Sequence, residues 1–255
     1  MKISFNVETL FSGMPIEEAM RTLHRNGIRT LEFWSWKDKD IARVRQLRDE
    51  LDMDIASIVV TPESLLDPSR RDALRDAVKG TAEAARELGC RRMVHTAGPA
   101  VPGVRPEDTR KRLIEGVEAC LPILEEYEVI TALEPLNNRI DRELADGCLT
   151  TSEEAFAIAE AVQHPLVKVC YDMYHVQIME GNVLQRLQNR ISLVGHIQGA
   201  GVPGRHELYL GELNYDYIFD AIKQMDYNGY VGVEYFPLHD PIEDLKQIHA
   251  KHHTG

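Results

Sequence analysis

Short β-rich apolar runs alternate with longer segments of helical periodicity along the whole 255-residue chain. Eight runs have strand character, and no Ser- or Pro-rich linker interrupts the alternation. Strands that alternate with helices form parallel sheets, because each helix returns the chain to the same end of the sheet. The predicted strands are residues 2–7, 29–33, 54–60, 91–96, 128–134, 166–172, 192–198 and 230–235.

The segments between these runs place apolar side chains on one helical face, which can cover a sheet from outside. Eight β-α units in a chain of this length fit a closed barrel better than an open doubly wound sheet, which usually has fewer strands. No GxxxxGK[ST] motif occurs. We therefore predict an α/β fold, a (β/α)8 TIM barrel that forms a single domain over residues 1–255. The clearest helical faces are Ile41, Val44, Leu47 and Leu51; Leu113, Val117, Leu121 and Leu124; and Ile218, Ile222 and Met225.

Charge and cysteine content narrow the function classes. Lys and Arg number 29 against 41 Asp and Glu, which gives a formal charge of −12, the wrong sign for binding nucleic acid or an anionic membrane. No signal peptide, membrane-length apolar run or CxxC pair is found, so we expect a cytoplasmic protein. Three cysteines lie in apolar-periodic segments and are expected to fill the core, whereas Cys148 is undecided; the three are Cys90, Cys120 and Cys170.

Four oxygen-donor side chains lie at or near the ends of strands five to eight: Glu134, Asp172, Gln198 and Glu234. In a TIM barrel the carboxyl ends of the strands build the active site, so neighbouring strands bring these groups together. Three carboxylates at such a site repel one another, and a divalent cation is the simplest way to keep them ionised. Oxygen-only donors suit Mg²⁺ or Mn²⁺ better than Zn²⁺.

The alternative is that a Lys, an Arg or a backbone N–H satisfies each carboxylate separately. That explanation serves for any one of them and is much weaker for all four together. Glu8 and Glu32 also lie near strand ends, which shows that position alone does not make a ligand. We treat Glu32 as a second-layer group at most.

Two further side chains are candidates for substrate contact. His175 follows Asp172 by three residues and either faces the same cavity or bonds a backbone carbonyl. Arg205, in a Gly-rich loop after Gln198, can grip a substrate carboxylate with two parallel hydrogen bonds. Its alternative is a solvent-exposed ion pair with Glu207.

Three other segments are less decided. His95 ends the fourth strand and is a weaker candidate for the pocket. Trp34-Ser35-Trp36 covers either the pocket or a subunit contact, and the sequence does not choose between them. The His-containing tail, "HAKHHTG", is expected to fray as termini commonly do rather than bind metal.

At this point the chain resembles the hydroxypyruvate isomerase family within the xylose-isomerase-like, or sugar phosphate isomerase/epimerase, barrels. The resemblance is carried by "LEPLNNR", "YDMYHVQIMEGN", "GHIQGAGVPGRHELYLGELNYDYIF" and "YNGYVGVEY". These segments cover the C-terminal half densely, and "KISFNVETLF" and "RTLEFW" match more loosely. The long third segment is the most specific.

The resemblance implies a metal-dependent isomerase that converts hydroxypyruvate to tartronate semialdehyde. It implies four metal ligands, Glu134, Asp172, Gln198 and Glu234, with the two glutamates also acting as the acid/base pair. It implies that His175 and Arg205 contact the substrate. The expected partners are a small hydroxy-keto acid or sugar, and the sequence leaves open whether the protein forms a homo-oligomer.

Two segments depart from the family pattern and leave the substrate open. Family members usually carry Gly-Asp-Trp after the third strand, where this chain has "TPESLLDPSRRDA", and many carry Pro-Gly-Thr-Gly-Glu where it has "LYLGE" (208–212). Rival functions are a ketose 3-epimerase and a metal-dependent sugar-acid binding protein without turnover. The related endonuclease IV fold needs several zinc ions and a basic groove, which the charge of −12 disfavours.

Overall fold

Eight parallel strands form the inner wall of the protein, as the alternation predicts. The computed structural model describes residues 1–141 and 147–253. The eight predicted strands are all found, each within two residues of its predicted limits. The strands are β1 Lys2–Phe5, β2 Thr30–Phe33, β3 Asp54–Val59, β4 Arg92–Thr96, β5 Ile130–Glu134, β6 Val167–Asp172, β7 Val194–Gly199 and β8 Tyr230–Val233.

Helices follow the strands and cover the sheet from outside. One predicted helix is divided in two: the apolar residues 113–124 belong to separate helices, and Pro122 lies at the start of the second, where a missing N–H costs least. The helices are α1 Val7–Leu10, α2 Ile16–Arg25, α3 Ile41–Leu51, α4 Arg71–Glu87, α5 Pro106–Glu118, α6 Leu121–Tyr127, α7 Ser152–Val162, α8 Met173–Met179, α9 Val183–Arg190, α10 Tyr215–Lys223 and α11 Ile242–His252.

The strand order shows a barrel. Each strand pairs in parallel with its neighbour in the order β1-β8-β7-β6-β5-β4-β3-β2. A parallel bridge between Asn6 and Glu32 brings the two remaining edges together. The fold is therefore a single TIM barrel, and the carboxyl ends of all eight strands meet at one end of it.

The inside of the barrel is partly polar. Glu32, His196 and Ser4 are buried there and bonded to one another through the Glu32 carboxylate. His196, two residues before Gln198 on β7, therefore has a structural hydrogen-bonding role. A small apolar cluster of Val94, Ala132 and Cys170 is separate from the main core.

Residues 249–253 of the tail are docked, so the expectation that the tail frays is wrong for them; residues 254 and 255 lie outside the described residues. Helix α11 extends to His252, which is buried and bonds Asp216 at 3.0 Å. The next residue, His253, accepts a hydrogen bond through Nδ1 from the backbone N–H of Ile3 at 3.1 Å. The tail thereby ties the last helix to the first strand, a contact between chain ends that local sequence does not reveal.

The cysteines take the places expected of core residues. Cys90, Cys120 and Cys170 are buried, while Cys148 is half-buried.

Among the described residues, no helix has the length and apolar character that crossing a membrane requires.

His95 faces the helices rather than the pocket. Its Nδ1 lies 3.1 Å from the Thr131 hydroxyl, and both residues alternate with Val94 and Ala132, which point into the barrel. Burial without a charged partner lowers the pKa of His95 to about 4. The imidazole is therefore neutral in the folded protein at neutral pH.

We predict that His95 makes the protein less stable in acid. Below about pH 6.5 an unfolded imidazole takes up a proton, whereas folded His95 stays neutral until about pH 4, so stability is lost as the pH falls through this window. Urea unfolding between about pH 7 and about pH 4.5 should show a shallower loss for His95→Gln than for the parent. The exposed His239→Gln variant should behave like the parent, and identical slopes for all three would contradict the assignment.

Candidate active site

The four predicted oxygen donors lie at the carboxyl ends of four adjacent strands. Glu134 and Asp172 end β5 and β6, Gln198 is the last residue but one of β7, and Glu234 directly follows β8. All four are buried, and Asp172 and Gln198 are register partners. The barrel therefore brings together the strand ends that the sequence singled out.

Glu134, Asp172 and His175 lie close together at this end of the barrel. One potential ligand atom from each lies within 4.8 Å of the other two. Desolvation raises the pKa of Glu134 well above its ordinary value, and the charges of Glu234 and Asp172 add to the effect. Desolvation likewise raises the pKa of Asp172 and of Glu234. Positive charge in this cavity is needed to keep these groups ionised together.

Arg205 supplies positive charge in the structure. Its guanidinium Nη2 lies 3.3 Å from Glu234 Oε1 and 3.6 Å from Asp172 Oδ2. The guanidinium carbon also stands 5.1 Å from the centre of the Tyr174 ring, within the range of a cation–π contact. The predicted alternative, an exposed pair with Glu207, is not found, since only 15% of the Arg205 side chain is exposed.

Hydrogen bonds between two loops hold Arg205 over the site. Its backbone carbonyl accepts the N–H of Phe236 at 2.8 Å, and the imidazole of His206 lies 2.8 Å from the Phe236 carbonyl. The Glu207 carboxylate accepts the N–H of Leu238 at 2.9 Å. Arg205 itself has a φ of 56°, a left-handed conformation that costs a non-glycine residue energy and here aims the side chain inward.

His175 presents a hydrogen-bond donor to the cavity. Its Nδ1 accepts the backbone N–H of Asn137 at 3.0 Å, so the single proton of the neutral imidazole resides on Nε2. Burial lowers the pKa of His175 to about 3, and the Arg205 charge adds to the effect, so the ring is neutral at pH 7. Nε2 lies 3.4 Å from Asp172 Oδ2. A protonated Nε2 suits contact with a substrate oxygen rather than a metal ion.

Three buried polar atoms of the site have no hydrogen-bond partner among the described residues: Arg205 Nε, His175 Nε2 and Glu234 Oε2. Buried polar atoms are nearly always paired in folded proteins, so unpaired ones mark a place where a ligand completes the bonding. The open capacity comprises two donors and one acceptor. These three atoms match a ligand with oxygens that accept two hydrogen bonds and a hydroxyl group that donates one.

Glu32 orients Gln198 from below. Gln198 Nε2 donates to Glu32 Oε1 at 2.9 Å, and its Oε1 lies 2.9 Å from the Cys170 thiol. Glu32 also accepts from Ser4 at 2.6 Å and lies 3.0 Å from His196 Nε2. Burial raises the pKa of Glu32, but His196 and the three hydrogen bonds outweigh this effect and the pKa is lowered overall.

Gly232 leaves room for the Glu32 carboxylate. A β-carbon at Gly232 would stand 2.5 Å from Glu32 Oε1, closer than real contacts allow. Glu32, Gln198 and Gly232 thus form a fixed floor under the site. From the sequence we predicted that Glu32 is a second-layer group at most. In the structure it lies beneath Gln198 and bonds its amide.

Two residues at the site were not assigned by sequence reasoning. Asn137 lies within the segment "LEPLNNR", but nothing local shows that its N–H reaches His175. Trp34 was left undecided between the pocket and a subunit contact; its indole Nε1 lies 2.5 Å from Glu234 Oε1. The only signal for Trp34 in the sequence is an aromatic residue directly after β2, the strand that carries Glu32.

The chain is similar to characterised and solved proteins over most of its length. It is 32% identical to hydroxypyruvate isomerase of Escherichia coli strain K12, over 67% of this chain and 65% of that protein. It is 27% identical to 2-oxo-tetronate isomerase of Haemophilus influenzae, over 96% of each. A crystal structure described as AP endonuclease, family 2, from Brucella melitensis has a TM-score of 0.91 at 25% identity, over 98% of this chain and 99% of that one.

The family model of the xylose isomerase-like TIM barrel matches residues 16–251. The chain belongs to this family. Both curated relatives are isomerases by name, and isomerase is the enzyme class that they support for this chain.

We predict that the Glu32 network contributes to stability through its charge. Glu32→Gln places an amide N–H against at least one of three hydrogen-bond donors, and the unfolding free energy should fall by about 1–3 kcal/mol. Ser4→Ala removes one donor and should cost about 1 kcal/mol or less. Urea unfolding of both variants tests this, and a Glu32→Gln protein as stable as the parent would show that the network does not need a carboxylate.

Proposed function

We propose that the protein is a metal-dependent isomerase of a small α-hydroxycarbonyl acid, with hydroxypyruvate and tartronate semialdehyde as the type reaction. Glu134 and Glu234 act as the acid/base pair, and His175 and Arg205 bind the substrate. The family relatives named for hydroxypyruvate and 2-oxo-tetronate support this class of substrate. We propose that the enzyme works in the cytoplasm, in line with the expectation from its sequence.

One observation carries the proposal: the buried carboxylates share their cavity with two unpaired donors. Arg205 Nε and His175 Nε2 both lack partners among the described residues, although each is buried. A carboxylate and a carbonyl of one small molecule would satisfy both. A neutral sugar offers hydroxyl oxygens but no anionic group to match the guanidinium.

The donor set fits a divalent cation. Three buried carboxylates with raised pKa values and an amide make an oxygen-rich group, and Glu234 Oε2 has no partner. We propose that Glu134, Asp172, Gln198 and Glu234 hold Mg²⁺ or Mn²⁺, since these ions prefer oxygen ligands. When bound, the cation supplies positive charge beside the substrate oxygens and lowers the cost of removing the adjacent C–H proton. His175 stays outside the ligand set because its Nε2 carries the proton.

The residues of the chain then move one proton between neighbouring carbons. Arg205 holds the substrate carboxylate, and the His175 N–H donates to a substrate oxygen, so the reacting carbons lie between the two glutamates. One glutamate removes the proton from C3 of hydroxypyruvate, which leaves an enediolate, and the other returns a proton to C2. A second proton passes from the C3 oxygen to the C2 oxygen, which completes tartronate semialdehyde. The glutamate that returns the proton recovers one from water between turnovers, so the proton delivered to C2 originates from solvent.

We predict turnover of hydroxypyruvate with uptake of solvent deuterium at carbon. Protein loaded with Mg²⁺ or Mn²⁺ is incubated in D₂O with hydroxypyruvate and a panel of ketohexoses, and exchange is followed by NMR. Glu134→Gln and Glu234→Gln should each lower kcat by at least about 10²-fold, because positioned bases contribute that much, without unfolding the protein. Turnover of ketohexoses alone would indicate a 3-epimerase, and ligand-induced stabilisation without exchange would indicate a binding protein.

We predict that Arg205 discriminates between acidic and neutral substrates. Arg205→Ala should raise KM for the acidic substrate by about 10–100-fold, because a charged hydrogen bond in a buried site contributes about 1.5–3 kcal/mol. Arg205→Lys should recover only part of this loss, since an ammonium group cannot make two parallel bonds. An equal loss on acidic and neutral substrates would argue against contact with the carboxylate.

A further inference from the structure

Trp34 connects the second strand to the carboxylate that follows the eighth. It comes directly after β2, and its indole Nε1 donates to Glu234 Oε1 at 2.5 Å. The indole ring also meets the Phe236 ring edge-on, with 6.5 Å between centroids. Since β1 lies between β2 and β8 in the barrel, this contact passes above one complete strand.

The backbone of Trp34 is fixed as well as its ring. The Glu8 carboxylate accepts the N–H groups of Trp34 and Ser35. Glu8 in turn pairs with Lys39 at 2.6 Å, and the Lys39 side chain is only 9% exposed. The indole therefore approaches Glu234 from an anchored segment, which reduces the freedom that the hydrogen bond must overcome.

The two oxygens of Glu234 differ because of this contact. Oε1 receives the Trp34 N–H and lies 3.3 Å from the Arg205 guanidinium, whereas Oε2 is buried without a partner among the described residues. An indole N–H donates a hydrogen bond but does not ionise at neutral pH, so it orients the carboxylate without competing as an acid. Arg205 is also needed for substrate, which leaves Trp34 as the donor dedicated to Glu234.

We propose that Trp34 is a positioning residue for Glu234, holding Oε1 so that Oε2 is the oxygen that faces the space where the cation and the substrate are proposed to bind. This role rests on the proposed function of Glu234 in proton transfer. The hydrogen bond itself does not depend on which substrate is used. The two parts can therefore be tested separately.

The hydrogen bond is tested by NMR on protein with ¹⁵N-labelled tryptophan. The chain contains two tryptophans, so two indole N–H signals are expected, and Trp36→Phe assigns them. Trp36 is a matched control, because its indole donates to the Thr81 hydroxyl at 3.0 Å rather than to a carboxylate. Glu234→Gln should shift the Trp34 signal and leave the Trp36 signal in place. An unmoved Trp34 signal would overturn the proposal whatever the substrate.

The positioning role is tested by kinetics on the substrate that the exchange screen identifies. Trp34→Phe keeps a ring and removes the donor, and it should lower kcat by about 10–100-fold, as small displacements of a reacting group do. KM should change by less than about threefold, because the substrate contacts remain. The deuterium isotope effect on kcat should rise, since proton removal becomes slower relative to the other steps.

Trp36→Phe should retain parental kcat, and the melting temperature of each variant shows whether it is folded. If Trp34→Phe is folded and changes KM alone, or keeps its kcat and isotope effect, the positioning role is wrong. If no substrate in the panel reacts, the proposed function fails, while the NMR comparison still decides whether Trp34 holds Glu234.

Discussion

The convergence of buried carboxylates at one end of a parallel barrel governs the site. Each of Glu134, Asp172 and Glu234 has its pKa raised by desolvation, and the charge of at least one other carboxylate adds to each shift. Such a group is costly unless cationic charge enters the cavity. Arg205 provides part of that charge from a loop, and the backbone bonds that hold the loop to Phe236 keep it there. The negative charge that Arg205 leaves uncompensated is the reason for proposing a divalent cation at this site.

Hydrogen bonds hold the side chains beside the carboxylates in place. The partners are a neutral backbone N–H, from Asn137, and one buried charge, the Glu32 carboxylate. Asn137 fixes the proton of His175 through a backbone N–H, and Glu32 fixes the amide of Gln198. These contacts reduce the number of orientations open to His175 and Gln198. Less side-chain entropy is therefore lost when a ligand binds. The site is thus shaped before a ligand arrives.

The sequence predicted the strands and the strand-end carboxylates because both follow local rules. Apolar runs mark β5 and β6, and the last residue of each faces the active-site end of any TIM barrel. It could not predict the supporting contacts. The Trp34–Glu234 bond joins residues 200 positions apart, and the docked His253 reaches Ile3 across 250 positions. The split of the helix near Pro122 was missed because apolar spacing continues through it.

The small space opposite Glu32 has an evolutionary consequence. The Glu32 carboxylate occupies the space beside Gly232. A larger side chain at this position would displace the carboxylate from its hydrogen-bond partners. Change in substrate preference is therefore directed to the loops, where the segment at 208–212 already differs from the family pattern and Tyr209 and Leu210 are exposed. Descendants of this barrel would diversify from the rim inward and keep Glu32, Gln198 and Gly232 as inherited.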